Sequence, residues 1–214
     1  MQDISWKDNL RIAWFGCFLT GASISLVVPF MPIFVEQLGV EGDQVAFYSG
    51  LAISVSAISA AFVSPIWGIL ADKYGRKPMM IRAGLAMTIT MGGLAFVPNV
   101  FWLLFLRFLN GVFTGFVPNA TALIASQVPK DRSGYALGTL STGVGAGTLT
   151  GPFVGGFIAE IFGIRNVFLL VGSFLFLAAI LTILFIKENF QPVPKEKALP
   201  TRELFTSVKY PFLL

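Results

Sequence analysis

Apolar residues gather into six long stretches, at about 12–34, 45–70, 79–97, 100–124, 135–159 and 167–186, separated by short polar segments. A hydrocarbon core about 30 Å thick takes about 20 helical residues, so each stretch is long enough to cross it as a helix. Only Arg82 and Arg107 are charged within them. The first stretch is too long for the apolar part of a cleaved signal peptide, and no small-residue cleavage pattern follows it, so it reads as a retained span. Spans of this length exclude a transmembrane barrel of roughly ten-residue strands. The pattern predicts an all-α polytopic membrane protein whose consecutive helices run antiparallel, because the connections are only two to ten residues long.

Composition agrees: 55% of the 214 residues are hydrophobic and 12% charged, with a mean hydropathy of +0.78. The absence of histidine removes Ser/His and Cys/His catalysis and any histidine metal site, so no enzyme and no metal are expected. Cys17, the one cysteine, cannot form an internal disulfide. The net charge of +4 would suggest nucleic acid in a soluble chain, but its distribution points to lipid. With the N-terminus inside, thirteen of the 15 basic residues fall on the cytoplasmic side, Arg82 among them by snorkelling; the outer segments hold only Arg165. Basic residues in short loops set topology, so the N-terminus is expected in the cytoplasm, with the basic face against anionic lipid.

The string GILADKYGRK, Gly68 to Lys77, is echoed by GFIAEIFGIR, Gly156 to Arg165, at an offset of 88 residues. Asp72 then answers Glu160, and Gly75 answers Gly163. A shorter echo, Phe18-Leu-Thr-Gly21 with Phe108-Leu-Asn-Gly111, lies at an offset of 90. Three spans separate equivalent positions, so the copy is inverted, and the six spans read as two inverted three-helix units. Residues 1–186 form this domain. Residues 187–214 carry prolines at 192, 194 and 200 and a short amphipathic piece at 201–208, and read as the start of a central cytoplasmic loop in a truncated chain.

Four sets of residues carry candidate chemistry. Gly68, Asp72, Gly75, Arg76 and Lys77 form a compact acid, glycine and basic cluster between the second and third spans. There Asp72 is close enough to pair with Arg76, or to reach a neighbouring helix end. Arg107 lies seven residues into its span. A charge at that depth either marks a polar interior path or snorkels outward. Asn110, Gly111 and Thr114 share its helical face. Gly143, Gly147, Gly151 and Gly155 repeat every fourth residue beside Pro152 and Gly156. With Gly111 and Gly115 they offer close helix packing, and Pro152 a bend. Pro29 and Pro32 offer a hinge in the first span, while Phe18 with Asn110 and Thr114 is a candidate cavity lining.

At these residues the chain resembles the major facilitator superfamily. GILADKYGRKPMM is similar to its loop motif, LLFLRFLNGVFTG to its fourth-helix RxxxG motif, GVGAGTLTGPFVGG to the GP motif of antiporters, and SLVVPFMPIF to the PxxP signature of twelve-helix drug:proton antiporters. The resemblance implies a proton-driven exporter of amphipathic, often cationic drugs in a bacterial plasma membrane, with no cofactor beyond the proton gradient. It assigns Asp72, Gly75 and Arg76 to a conformational latch, Arg107 to proton coupling, and Gly151 and Pro152 to the bend of the antiporter helix. It also implies a missing C-terminal half, which would have to supply the membrane-embedded acid. A solute importer of the same fold and a membrane scaffold are the competing classes.

Overall fold

The computed structural model describes residues 5–190, and every regular element among them is helical. The prolines at 192, 194 and 200, the piece at 201–208 and the last four basic residues lie outside the described residues. Eight helices follow in order: α1 (Trp6–Val27), α2 (Met31–Gln37), α3 (Gln44–Tyr74), α4 (Arg76–Gly93), α5 (Val100–Phe113), α6 (Phe116–Gln127), α7 (Ser133–Phe162) and α8 (Ile164–Phe185). All but α2, taken with the short turns that extend or join them, make six helices long and apolar enough to cross a membrane.

The helices differ from the apolar stretches where backbone chemistry intervenes. α1 begins at Trp6, six residues before its apolar stretch, because Ser5 caps it by accepting the Asp8 N–H at 3.4 Å. It ends at Val27, and the chain resumes helix at Met31, so Pro29 lies inside a break in the first span and Pro32 in the first turn of the helix that follows it. The fourth span is also two helices. α5 stops at Phe113 and α6 starts at Phe116, with Gly115 between them at φ +133°. That conformation favours glycine, so Gly115 is a turn residue and not the second member of a packing stripe with Gly111.

α7 instead runs unbroken through Pro152. Proline has no N–H to donate to the Thr148 carbonyl one turn back, and that carbonyl accepts the Ser25 hydroxyl of α1 at 2.7 Å. α3 likewise passes Pro65, whose freed Ala61 carbonyl accepts from Ser64 at 3.4 Å.

The principal helix pairs are α1 with α7, α4 with α8, α1 with α8 and α3 with α5, and α4 also packs on α5 and α6. In spans these are first with fifth, third with sixth, first with sixth, second with fourth and third with fourth, the set that a twofold exchange of the two three-span units leaves unchanged. Local geometry repeats in the same way. Gly75 (φ +100°) joins α3 to α4 and takes the Ala71 carbonyl; Gly163 (φ +84°) joins α7 to α8 and takes the Ala159 carbonyl. The shorter echo is also structural. A Cβ at Gly21 would lie 2.6 Å from the Val144 carbonyl oxygen, and one at Gly111 would collide with the Ser56 carbonyl; Val144 and Ser56 are themselves 88 residues apart.

Large apolar side chains on the outside, such as Phe62 at 78% and Phe153 at 81% exposure, would make an insoluble surface in water and suit lipid. The chain is a multi-pass membrane protein.

Candidate functional site

Basic residues cluster where α1 begins and α3, α6 and α8 end. Asp72 and Arg76 form an ion pair one helical turn apart across Gly75. The carboxylate of Glu188 accepts the backbone N–H groups of Arg76 and Lys77, both at 2.8 Å, and so caps the N-terminus of α4. A Cβ at Gly75 would sit 2.8 Å from that carboxylate, so both the turn and the cap demand glycine. Lys77 donates to the Ile183 carbonyl near the end of α8 at 3.1 Å. Beside them Asn9 of α1 donates to Gln127 of α6 at 2.7 Å and to the Lys187 carbonyl at 2.6 Å, and accepts the Lys187 N–H at 3.0 Å. Lys187 and Glu188, just beyond α8, thereby bind helix ends from the first, third and fourth spans. Sequence reasoning missed Glu188, Asn9 and Gln127, because their partners lie more than a hundred residues away for all but the Gln127–Lys187 contact. Gly68 has open space around it and takes no part.

The opposite face repeats half of this arrangement. Arg165 donates to the Ala95 carbonyl at 2.8 Å as Lys77 does to Ile183, and both donors and both acceptors are separated by 88 residues. Arg76, however, corresponds to Ile164, and Glu160 joins no ion pair among the described residues. The acid–base pair belongs to one face only.

Arg107 does not snorkel. It is 6% exposed, donating from Nε to the Ala52 carbonyl of α3 at 3.1 Å and from Nη1 to the Met91 sulfur of α4 at 3.7 Å. No carboxylate lies against it among the described ion pairs. Arg82 does not snorkel either. Its guanidinium lies 3.4 Å from the centroid of Trp67 and donates to the Thr114 carbonyl at 3.3 Å. Asn110 is buried and accepts the Thr90 hydroxyl at 3.1 Å, and the Thr114 hydroxyl faces Met87. These two side chains therefore contact α4, and neither they nor Phe18 line the cavity between α1 and α7.

Gly143, Gly147, Gly151 and Gly155 form one seam, and all four press on α1. A Cβ at Gly143 would lie 2.8 Å from the Trp14 carbonyl, and one at Gly147 would strike the Phe18 carbonyl. Gly156 has open space and stands outside the seam. Toward the basic face the same two helices line a cavity of about 480 Å³, walled by Trp6, Trp14, Phe15 and Tyr135 together with Lys7, Arg11 and Arg132. Phe18 stacks on Trp14 at 5.7 Å, next to this cavity but not in its wall.

Two inverted three-span units, a buried charge in one span and helix ends bound together at one face define a helical membrane protein with secondary-transporter architecture. The chain belongs to the Major Facilitator Superfamily, whose family model matches residues 13–213. It is 86% identical over its whole length to the multi-drug resistance efflux pump PmrA of Streptococcus pneumoniae serotype 4, covering 54% of that protein. It is 57% identical to the PmrA homolog of Lactococcus lactis, covering 97% of this chain and 51% of that one. It is 50% identical to the multidrug resistance protein MdtG of Proteus mirabilis, covering 96% and 51%. The chain thus spans about half the length of these relatives. Among solved structures the human organic anion transporter MFSD10 superposes with a TM-score of 0.77 at 17% identity, over 93% of this chain and 52% of that one, a likeness of fold.

Proposed function

We propose that this chain is the N-terminal six-span half of a proton-driven drug exporter that works by alternating access. The observation that carries the reading is Arg107, a buried charge held by a carbonyl and a thioether and paired with no acid among the described residues. Isolating an arginine this way is costly, and a functional role is the default explanation for such a residue in a span. Arginine stays protonated at physiological pH, so its role is electrostatic: it favours ionisation of a carboxylate brought near it. No Asp or Glu lies inside the six apolar stretches, so that acid belongs to a second half of similar size, matching the length of the relatives. Export of drugs, rather than import of nutrients, is supported by the names of those relatives.

The remaining parts take roles around this centre. Residues 1–186 are the transmembrane half and 187–214 the start of the central loop, with the basic face and the N-terminus in the cytoplasm of a bacterial plasma membrane. The Asp72–Arg76 pair with its Glu188 cap is the latch that holds one conformation. The aromatic wall between α1 and α7 receives the apolar part of an amphipathic cation. Two of the three positive charges in that wall are offset, where Arg11 meets Asp8 at 3.4 Å and Arg132 meets Asp131 at 3.7 Å, and Lys7 lies over the Trp6 ring at 5.8 Å.

The test uses a chain of the relatives' full length that carries this half, produced in cells loaded with a fluorescent amphipathic cation. Dye should leave faster than from cells lacking the protein, and a protonophore should abolish the difference. Equal retention with and without the gradient would count against proton-driven export.

A further inference from the structure

We infer that the break at Thr114–Gly115 is a hinge with two settings, and that Arg82, stacked on Trp67, is the positioning residue that holds the present one. Breaking a helix in the membrane releases carbonyls that lipid cannot satisfy. Here two are taken by side chains from other spans. Trp67 of α3 donates its indole N–H to the Val112 carbonyl at 2.6 Å, and Arg82 of α4 donates Nη2 to the Thr114 carbonyl at 3.3 Å. The guanidinium rests on the Trp67 ring at 3.4 Å, so the two donors form one unit that grips the end of α5.

The grip is unsaturated. Nε and Nη1 of Arg82 are buried without a hydrogen-bond partner among the described residues, which leaves two donors for acceptors in another arrangement. Gly115, at φ +133°, permits the backbone rotation such a change requires.

The device bridges the two units, and the repeat does not reproduce it. At the offset of 88, Arg82 corresponds to Leu170 and Trp67 to Gly155. At the offset of 90, Thr114 and Gly115 correspond to Ile24 and Ser25, inside unbroken α1. The repeat explains the fold, and this departure from it falls seven residues after Arg107 on the same span. A change of setting would swing α6 relative to the helix that carries the buried charge.

The inference rests on the membrane fold and not on the export reading, and its readout needs neither drug nor gradient. Spin labels at Phe101→Cys and Ala125→Cys, in a Cys17→Ala background of the full-length chain in nanodiscs, report the separation of α5 and α6. Two distance populations are expected. Arg82→Lys, which keeps the charge but loses the planar fork, should lower the population of one by roughly fivefold, about the factor one hydrogen bond is worth. Trp67→Phe, which keeps a ring but loses the N–H, should shift it in the same direction. Arg82→Met should shift it at least as far as Arg82→Lys. If that variant does not insert, the two conservative ones decide. A single population in the unmodified chain, or two that Arg82→Lys and Trp67→Phe leave unchanged, would overturn the inference.

Discussion

Gly75 meets two demands at once, a backbone at φ +100° and ψ +160° and the approach of the Glu188 carboxylate to the first amides of α4. A side chain in that backbone region costs of order 1–3 kcal/mol, and removing an acceptor that satisfies buried N–H groups costs about 1–3 kcal/mol. Gly75→Ala and Glu188→Ala should therefore each lower the thermal midpoint of the detergent-solubilised protein. The double variant should lose less than the sum, because the new Cβ would displace the carboxylate that Glu188→Ala removes. Strict additivity would show that the cap and the turn are independent. At this scale the sequence disclosed the residues whose chemistry is conspicuous: an acid and a base one turn apart across a glycine, and an arginine in a span. It did not disclose their partners. Glu188 is one acid in a polar tail, Ser25 one hydroxyl in an apolar helix, and their contacts cross more than a hundred residues.

At the scale of elements, the four-residue glycine spacing in α7 was readable as a close-packing stripe, and the structure supplies α1 as what packs there. Placing a larger side chain at Gly147 forces α1 away from α7, whereas Gly156 faces open space. Gly147→Val is expected to destabilise the bundle by about 1–3 kcal/mol, and Gly156→Val to leave it within about 0.5 kcal/mol of the parent. Reversible unfolding in mixed micelles would compare them. Equal losses would mean that α7 tolerates bulk on both faces and that the seam is not tight. Hydropathy located the six spans but not their breaks. It averages over a window, and a break at 28–30 or 114–115 changes hydrogen bonding without changing apolarity. Pro29 and Pro32 gave a cue to the first break. Gly115 gave none, since a glycine four residues after Gly111 fits a packing stripe equally well.

Across the whole molecule the inverted repeat accounts for the helix pairs, for the junctions at Gly75 and Gly163, and for the caps from Lys77 and Arg165 on opposite faces. The longer echo was legible because its two positive-φ junctions call for glycine, and the shorter because close backbone contact does. The caps were not, because lysine and arginine read as ordinary loop charges until their carbonyl partners are located. Three features have no counterpart under the repeat: the Asp72–Arg76 pair and the Arg82–Trp67 contact in the first unit, and Arg107 in the second, whose equivalent at the offset of 90 is Cys17. A symmetric scaffold carrying charges that break the symmetry fits a machine in which equivalent helices have different tasks, and proton coupling through Arg107 is the central claim. The most direct measurement is drug efflux from proteoliposomes holding the full-length chain under an imposed pH gradient, normalised to inserted protein. Arg107→Ala should abolish gradient-driven efflux, and Arg107→Lys, which keeps charge but not the multi-donor plane, should retain at most a minor fraction. Parental coupling in Arg107→Ala would contradict the account.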